Sequence, residues 1–269
     1  MYRLLALDLD GTLLRNDQRV DDRDIAAIAE LQRAGVTVTI VTGRMHAGSI
    51  EAARACGIEG VIACVEGSHL VHVGSSETLY HHPIDPDVAT LLRTTLAAHG
   101  LSSFVFDAHG IHHDHAGAPY AQYVRTWSPN LRLVEEAVAW DTAPLAAVAI
   151  GERDAVAAAA EELRAHAHRL FSVSFGVSMV PGKYAILARA AGPTKGTALR
   201  ALCERVGCTP ADAVAIGDWV NDVPMFEVAG RSFVMGAAPE HVASKASDRL
   251  VAIAGAGGGI AEAIKRAWG

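Results

Sequence analysis

Carboxylates, hydroxyls and one ammonium group collect where apolar runs of this sequence end. In open α/β sheets ligands bind beyond the carboxyl ends of the strands, so we expect these side chains to share one site. Lys195 opens a helix just upstream of the last run. The residues after the four runs are, in order, Asp8, Asp10 and Thr12; Thr42, Gly43 and Arg44; Glu66 and Gly67; and Gly217, Asp218, Asn221 and Asp222.

The chemistry of these groups indicates a magnesium ion and a phosphate. Carboxylates on adjacent strand ends repel one another unless a cation lies between them, and oxygen ligands without histidine or thiolate favour Mg2+ over zinc. Magnesium takes few protein carboxylates, which leaves room for substrate oxygens. Lys195, the Thr42 hydroxyl and the Gly43 backbone N–H can donate to those oxygens. A phosphate group fits this arrangement.

Asp8 and Asp10 have the type and spacing needed for covalent phosphoryl transfer. A carboxylate can act as the nucleophile in such reactions, and Asp8 ends the first buried run. Asp10, two residues further on, can protonate the leaving oxygen and later activate the water that hydrolyses the aspartyl-phosphate. Two carboxylates that end a buried strand are costly without a partner, which favours a catalytic role over a simple turn.

Apolar runs that alternate with helical patterns predict the elements that position these groups. Residues 22–34 have helical spacing, with Asp21 as the cap and Gly35 as the stop. Continuous apolar strands between helices predict an α/β fold with a Rossmann-like, doubly wound parallel sheet. Further helices are expected over 48–55 and 194–206, and the expected strands are 3–7, 35–41, 61–65, 212–218, 232–236 and 249–253.

Residues 83–187 have a different pattern, and we expect them to form an inserted α+β cap domain with an antiparallel sheet. Strands over 102–114 and 171–180 are longer and more alternating, and helices are expected over 87–98 and 153–164. The core domain would then consist of 1–82 and 188–269. The cap carries a histidine-rich segment, His109 to His115, for which we favour a specificity or surface role over a metal site.

Composition excludes several classes of protein. The chain has 269 residues, 51% of them apolar and 20% charged, which is ordinary for a globular protein. A net charge of −7 argues against a nucleic-acid or anionic-membrane binder. No run of about 18 apolar residues is present and the first residues do not form a signal peptide, so we expect a cytoplasmic protein. Its four cysteines lack zinc or redox spacing and should be reduced thiols.

Four short motifs resemble, in order and spacing, those of the haloacid dehalogenase superfamily. They are DLDGTLL at 8–14, VTGR at 41–44, PTKG at 193–196 and GDWVND at 217–222. The long insertion between the second and third motifs is similar to the cap of the Cof-type (type IIB) phosphatases. The resemblance covers essentially the whole chain and implies a Mg2+-dependent phosphatase that works through an aspartyl-phosphate.

The resemblance also implies roles for individual residues. Asp8 would be the nucleophile and a metal ligand, and Asp10 the general acid/base, whose backbone carbonyl also binds the metal. Asp218 would be the remaining metal ligand of the protein. Asp222 would orient Lys195 or a metal-bound water. The residues that would hold the phosphate are Thr42, Gly43, Lys195 and Asn221.

The sequence departs from the family pattern at the border of the expected phosphate pocket. The third strand of this family commonly ends in Asn-Gly-Ala, where this chain has Glu66, Gly67 and Ser68, and a late Gly-Asn-Ala turn reads Gly236-Ala237-Ala238. A glutamate beside a phosphate adds repulsion unless it binds a hydroxyl or an amine, or points away. The departure leaves the nucleophile, the metal ligands and the lysine intact.

Three functions remain open from the sequence. The first is hydrolysis of a small phosphorylated metabolite, with sugar phosphates as the first candidates, because a large cap disfavours macromolecular substrates. The second is a phosphomutase, which would return the phosphoryl group to a second hydroxyl. The third is a catalytically inactive ligand-binding relative. A monomer or a homodimer is expected.

Overall fold

The computed structural model describes residues 1–177 and 179–269, which form two compact units. Unit 1 consists of Met1–Tyr80 and Pro193–Gly269, and unit 2 of His81–Gly192. Residues 83–187, which we propose as a cap domain, fall within unit 2. None of the described helices combines the length and apolar character needed to cross a bilayer.

The elements of unit 1 alternate between strands and helices at both ends of the chain. Before the unit 2 segment they are β1 (Leu4–Leu7), α1 (Asp22–Arg33), β2 (Thr37–Ile40), α2 (Ile50–Ala55), β3 (Val61–Cys64), β4 (His69–His72) and β5 (Thr78–His81, which ends one residue into unit 2). After it, with the numbering continued below, they are α7 (Lys195–Val206), β12 (Ala213–Gly217), α8 (Val223–Phe226), β13 (Arg231–Val234), α9 (Glu240–Ala243), β14 (Asp248–Arg249) and α10 (Gly259–Trp268).

Unit 2 contains the remaining elements. They are α3 (Pro86–Ala98), β6 (Ser102–Phe106), β7 (Ile111–His113), α4 (Ala121–Val124), β8 (Leu131–Leu133), α5 (Glu136–Trp140), β9 (Ala146–Glu152), α6 (Arg153–Leu163), β10 (Leu170–Gly176) and β11 (Lys183–Ala190).

The central sheet of unit 1 is parallel, as the apolar runs predict. Its five strands have the order β14-β13-β12-β1-β2, and each neighbouring pair is parallel. Every residue of β1 and β12 is buried, because helices cover both faces of such a sheet. The predicted α/β fold with a Rossmann-like parallel core is confirmed. The carboxyl ends of β1, β2 and β12 therefore lie at one edge.

The capping signals of the sequence are present at the helix ends. The Asp21 side chain accepts a hydrogen bond from the Arg23 backbone N–H at the start of α1. Thr194 and Thr197 form a reciprocal capping box at the start of α7, and that helix ends at Gly207, whose φ of 73° suits a residue without a side chain. The capping box places Lys195 in the first turn of α7.

The third predicted strand runs parallel to the chain after β2, as expected, but its main partner is a strand that the sequence did not predict. Strand β3 pairs antiparallel with β4 in a separate three-stranded sheet, and one parallel bridge between Val41 and Ala63 joins it to the chain after β2. The chain turns back directly after Gly67, so β4 pairs with one edge of β3, while the Ala63 carbonyl of β3 accepts from the Thr42 backbone N–H at 2.9 Å. The last predicted strand is also shorter, because the Glu262 carboxylate accepts the backbone N–H groups of Val251 and Ala252.

Unit 2 is built on one mainly antiparallel sheet of order β10-β11-β9-β6-β7-β8, in which only β7 and β8 run parallel among the described pairs. Helices α3, α5 and α6 pack on one face through apolar residues such as Leu92, Trp140 and Val156. The sequence did not predict β9 or β11. The strand predicted over 171–180 is β10, and Ser178 in that range lies outside the described residues.

The strand predicted over 102–114 is in fact a hairpin. Asp107 accepts hydrogen bonds from the backbone N–H groups of His109 and Gly110, and this turn separates β6 from β7. His115 lies after β7, in a short 3-10 helix, so it does not share a strand face with His113. The error arises because alternation continues through a tight turn.

Asp24 provides a test of how α1 and α10 are held together. Its carboxylate is fully buried and accepts hydrogen bonds from the backbone N–H groups of Gly258 and Ala261, both at 2.8 Å. We expect Asp24→Ala to lower the free energy of unfolding by about 1–3 kcal/mol, because these donors lose their partner. Asp22→Ala, at an exposed position of the same turn, should cost less than about 1 kcal/mol. Urea denaturation measures both free energies of unfolding. Equal losses for the two variants would contradict the role of Asp24 in holding α10 to α1.

Candidate active site

The polar residues that the sequence placed at strand ends meet at one edge of the parallel sheet of unit 1. Asp8 directly follows β1, and its backbone N–H donates to the Ile216 carbonyl of β12 at 3.0 Å. Asp218 directly follows β12, and Lys195 begins α7. Because parallel strands end at the same edge, Asp8 and Asp218 become neighbours although 210 positions separate them.

The Lys195 ammonium is buried between two carboxylates. Its Nζ lies 2.5 Å from Asp8 Oδ1 and 2.6 Å from Asp222 Oδ1, and the side chain has no exposed surface. Burial alone would lower the pKa of Lys195, but the charges of Asp8 and Asp222 outweigh it and raise the pKa above its ordinary value. The lysine is therefore charged across the physiological pH range and presents a cation beside the Asp8 carboxylate.

The negative charge around Lys195 exceeds its single positive charge. Burial raises the pKa of Asp8, Lys195 lowers it, and the charges of Asp222 and Asp218 raise it again. The net pKa of Asp8 lies well above its usual range. Burial and the charge of Asp222 likewise raise the pKa of Asp218 to about 6. An additional cation at this place would stabilise the ionised carboxylates.

Three carboxylates are close enough to share such a cation. Asp8, Asp218 and Asp222 each offer an oxygen, and these oxygens lie within 4.8 Å of one another. The Asp222 carboxylate already accepts from Lys195 through Oδ1 and from the backbone N–H groups of Asp218 and Trp219 through Oδ2. Asp8 and Asp218 are thus the better candidates for a metal ion, and Asp222 is better placed to hold the lysine and the loop.

The loops around this cluster are tightly packed. Gly11 has a φ of 79°, and a Cβ at this position would lie 2.5 Å from Asp218 Oδ2. Thr12 Oγ1 lies 3.4 Å from Asp218 Oδ1. A Cβ on Gly217 would lie 2.3 Å from Asp222 Cγ. The glycines of the first and last motifs therefore let the two loops carry their carboxylates close together.

Asp10 lies outside the carboxylate cluster, and its side chain pairs with Arg44. The Arg44 Nε and Nη2 atoms donate to the two Asp10 oxygens at 2.8 and 2.5 Å, and the Asp10 side chain is 57% exposed. Arg44 also donates to the Gly48 carbonyl. The sequence analysis missed the contact of Arg44 with the candidate acid/base. The only signal for it was a position in the TGR motif.

The residues expected to hold a phosphate lie around a glutamate. Thr42 is buried, and its Oγ1 accepts from the Arg44 backbone N–H at 3.0 Å. Asn221 Nδ2 donates to Glu66 Oε1 at 2.8 Å, and a Cβ on Gly43 would lie 2.6 Å from the same oxygen. Glu66 thus does not point away from the expected pocket. It contacts two of the residues that we propose for phosphate binding.

The histidine segment of unit 2 has a structural arrangement. His112 Nε2 pairs with Asp107 Oδ2 at 2.9 Å, and both residues are buried. His113 is also buried, with Nδ1 2.8 Å from the Asp114 carbonyl. In the described part of the chain, Asp8, Asp218 and Asp222 are the one group of three or more ligating side chains that lie close enough to share a metal ion. Asp107 orients the His112 imidazole, because it is the hydrogen-bond partner of that ring.

The Asp8 carboxylate is buried at a strand end, with the Lys195 ammonium beside it and Asp218 in the same cluster. Phosphoryl transfer to a carboxylate requires charges of this kind around the nucleophile. The family model of the haloacid dehalogenase-like hydrolases matches residues 5–264. The chain belongs to this family. The predicted enzyme class, a phosphoric monoester hydrolase, is confirmed.

Known proteins resemble the chain over nearly its full length. It is 28% identical over 255 residues to the HMP-PP phosphatase of Enterobacter sp. (strain 638), with 90% of this chain and 88% of that protein covered. It is 29% identical over 243 residues to the HMP-PP phosphatase of Cronobacter sakazakii, with coverage of 88% and 85%.

Solved structures share the same fold. A haloacid dehalogenase-like hydrolase from Bacteroides thetaiotaomicron superposes with a TM-score of 0.84 at 25% identity, and the match covers 99% of both chains. A subclass IIB sugar phosphatase superposes with a TM-score of 0.80 at 18% identity over 98% of both chains. The chain therefore has the fold of these hydrolases, including that of a subclass IIB member.

Replacement of Lys195 tests how far the buried ion pairs hold the site together. We expect Lys195→Met to lower the free energy of unfolding by about 3–5 kcal/mol, because Asp8 and Asp222 are left buried without their cation. The exposed control Lys265→Met should have little effect. Adding Asp222→Asn to Lys195→Met should restore part of the loss. Urea denaturation in metal-free buffer measures all three, and a small loss for Lys195→Met would contradict the pairing.

Asp218 is expected to destabilise the metal-free protein at neutral pH. Its folded-state pKa of about 6 lies above the unfolded value of 3.8, so folding becomes less favourable as pH rises between these values. We expect Asp218→Asn to stabilise the protein in EDTA by about 1–2 kcal/mol at pH 7.5, and by much less at pH 4. Denaturation at both pH values measures this, and an equal effect at the two would contradict it.

Proposed function

We propose that the chain is a Mg2+-dependent phosphatase that hydrolyses a small phosphorylated metabolite through an aspartyl-phosphate on Asp8. The observation that carries this proposal is the position of the Asp8 carboxylate. It is buried at the end of β1, contacts the Lys195 ammonium at 2.5 Å and shares a cluster with Asp218. A nucleophilic carboxylate needs these neighbours, because its target carries negative charge.

Asp8 and Asp218 would hold the magnesium ion, together with the backbone carbonyl of Asp10. The donor set fits this ion, since it consists of hard oxygens and carries more negative charge than Lys195 neutralises. When bound, magnesium neutralises charge on the transferring phosphoryl group. Asp222 would keep Lys195 in place, because it contacts both the ammonium and the Asp218–Trp219 backbone.

The phosphate would be held by donors on three different loops. Lys195 supplies a charge, Thr42 a buried hydroxyl, and Gly43 a backbone N–H after β2. Asn221 supplies an amide group next to them. Donors that are already fixed before the reaction need little reorganisation, which favours transfer over unproductive binding.

Asp10 would act as the general acid and base. It follows Asp8 by two residues, so both carboxylates leave the same strand end. For this role the Asp10 carboxylate exchanges its Arg44 partner for the leaving oxygen of the substrate, and later for a water. Arg44 is thereby a positioning residue that holds the carboxylate at the edge of the site.

The substrate is proposed at the level of its class. Sugar phosphates are the first candidates from the sequence. HMP-PP, the compound in the names of the two relatives reported above, is a second candidate. A phosphomutase on the same scaffold would use the same first half-reaction and differ in the acceptor. Release of inorganic phosphate without an isomerised product distinguishes the phosphatase from the mutase.

Turnover of a panel of phosphorylated metabolites tests the proposal. We expect release of inorganic phosphate from at least one of them in the presence of Mg2+, and loss of that activity in EDTA. Asp8→Asn should reduce the rate by about 10^3-fold or more, because the nucleophile is removed while the shape of the side chain is retained. Malachite-green detection measures the phosphate.

Asp22→Asn is the matched control for this experiment, since it makes the same change at an exposed position of α1. It should hydrolyse the same compounds at the rate of the parent. Parent-like turnover by Asp8→Asn, with deamidation excluded by mass spectrometry, would refute the covalent mechanism. Absence of turnover on the whole panel by the parent protein would favour the inactive ligand-binding relative.

A further inference from the structure

Glu66 lies in a segment with an unusual backbone. Val65, Glu66 and Gly67 have φ values of 49°, 56° and 94°, and two of these three residues carry side chains that disfavour the left-handed region. For a β-branched residue such as Val65 this conformation is a clear outlier. Strain of this kind persists only where the surrounding structure enforces it, and it concentrates at functional sites.

The neighbouring loops hold this segment in place. The backbone N–H groups of Val65 and Glu66 donate to the carbonyls of Arg44 and Thr42, at 2.9 and 3.0 Å. Gly67 packs against the start of α7, where a Cβ would lie 2.8 Å from the Thr194 carbonyl. The segment is thus attached to the loops that carry the proposed phosphate ligands.

The conformation brings the Glu66 carboxylate to the border of the proposed phosphate pocket. Oε1 accepts from Asn221 at 2.8 Å and lies where a Cβ on Gly43 would clash. Within residues 1–177 and 179–269, Asn221 is the side chain that hydrogen-bonds this carboxylate, so Oε2 is left to accept from a ligand. Glu66 is half-buried, so its free carboxylate oxygen is accessible to a group bonded next to a phosphate in the proposed pocket.

The charge of this carboxylate has a direct consequence for substrate choice. Asp8 and Asp222 already contact Lys195, Asp218 lies in the same carboxylate cluster, and Glu66 adds a further negative charge to these surroundings. A neutral asparagine, as the family pattern has here, would be indifferent to the charge of a neighbouring substrate group. A glutamate attracts a cation there and repels an anion, and in a half-buried site this effect is only partly screened.

We propose that Glu66 is a specificity-determining residue, which selects phosphate monoesters that carry an ammonium group close to the ester oxygen and disfavours those that carry an anion there. This inference rests on the proposed function of the same site, and it goes further because it defines the class of substrate. Oε2 accepts the hydrogen bond from the ammonium, while Oε1 remains with Asn221.

Three small esters of nearly equal size test the proposal. All three have the same phosphate-bearing CH2 group, to which ethanolamine phosphate attaches an aminomethyl group that ends in an ammonium, ethyl phosphate a methyl group and phosphoglycolate a carboxylate. Dissociation constants are measured by calorimetry with Mg2+ in the Asp8→Asn background, so that no ester is turned over. The readout is the ratio of the phosphoglycolate constant to the ethanolamine phosphate constant.

We expect this ratio to fall at least about tenfold when Glu66→Gln is added to Asp8→Asn, because the charge is removed and the hydrogen-bond acceptor is retained. Glu66→Asn should change the ratio in the same direction, and ethyl phosphate should be affected least. Glu59→Gln, an exposed glutamate of unit 1, is the matched control and should leave the ratio unchanged. A partly misfolded sample does not alter this ratio, since both constants report on the folded fraction.

A ratio that stays within about twofold of the Asp8→Asn value overturns the proposal, as does a failure of all three esters to bind. These outcomes are separate from a failure of the proposed function, which is decided by phosphate release with Asp8 intact. Turnover together with an unchanged ratio would support the phosphatase activity and refute the role of Glu66. A changed ratio without turnover would support the selectivity of the site and refute its hydrolytic function.

Discussion

The buried ammonium of Lys195 is the interaction on which the site depends. A charged amine without exposed surface is stable only if carboxylates compensate it, and Asp8 and Asp222 do so at 2.5 and 2.6 Å. These partners come from the first strand and from the loop after β12, so the ion pairs require the parallel sheet and α7 to be in place. Gly196 lets the start of α7 lie close to α8, because a Cβ at this position would lie 2.3 Å from the Pro224 carbonyl oxygen.

The same interaction leaves the site with an excess of negative charge. One ammonium faces Asp8, Asp218 and Asp222, and the raised pKa values of Asp8 and Asp218 are the electrostatic sign of this imbalance. Such a site favours the binding of a metal ion, and of a substrate whose oxygens can bind the same ion. Stability and function are therefore opposed at Asp8 and Asp218, because burial of their charges disfavours folding and both residues are proposed to act in catalysis.

Errors in the sequence-based predictions have a common physical origin. Periodicity reports whether a residue faces the core, but it does not report which strand a segment pairs with. Strand β3 was apolar and buried as predicted, yet the turn at 65–68 gave it an antiparallel partner. The hairpin at Asp107 and the missed strands β9 and β11 have the same cause, since pairing is decided by turns and by distant segments.

The sequence by itself determined the α/β core, because apolar runs alternate with helical patterns. It also determined the enzyme class through four short motifs, and most of the polar residues at the strand ends, because these directly follow apolar runs. Only the tertiary structure decided the direction of individual side chains. The pairing of Asp10 with Arg44 and that of Glu66 with Asn221 join residues 34 and 155 positions apart. No local pattern encodes such contacts, since they depend on sheet geometry and, for Glu66, on a backbone conformation that its own preferences oppose.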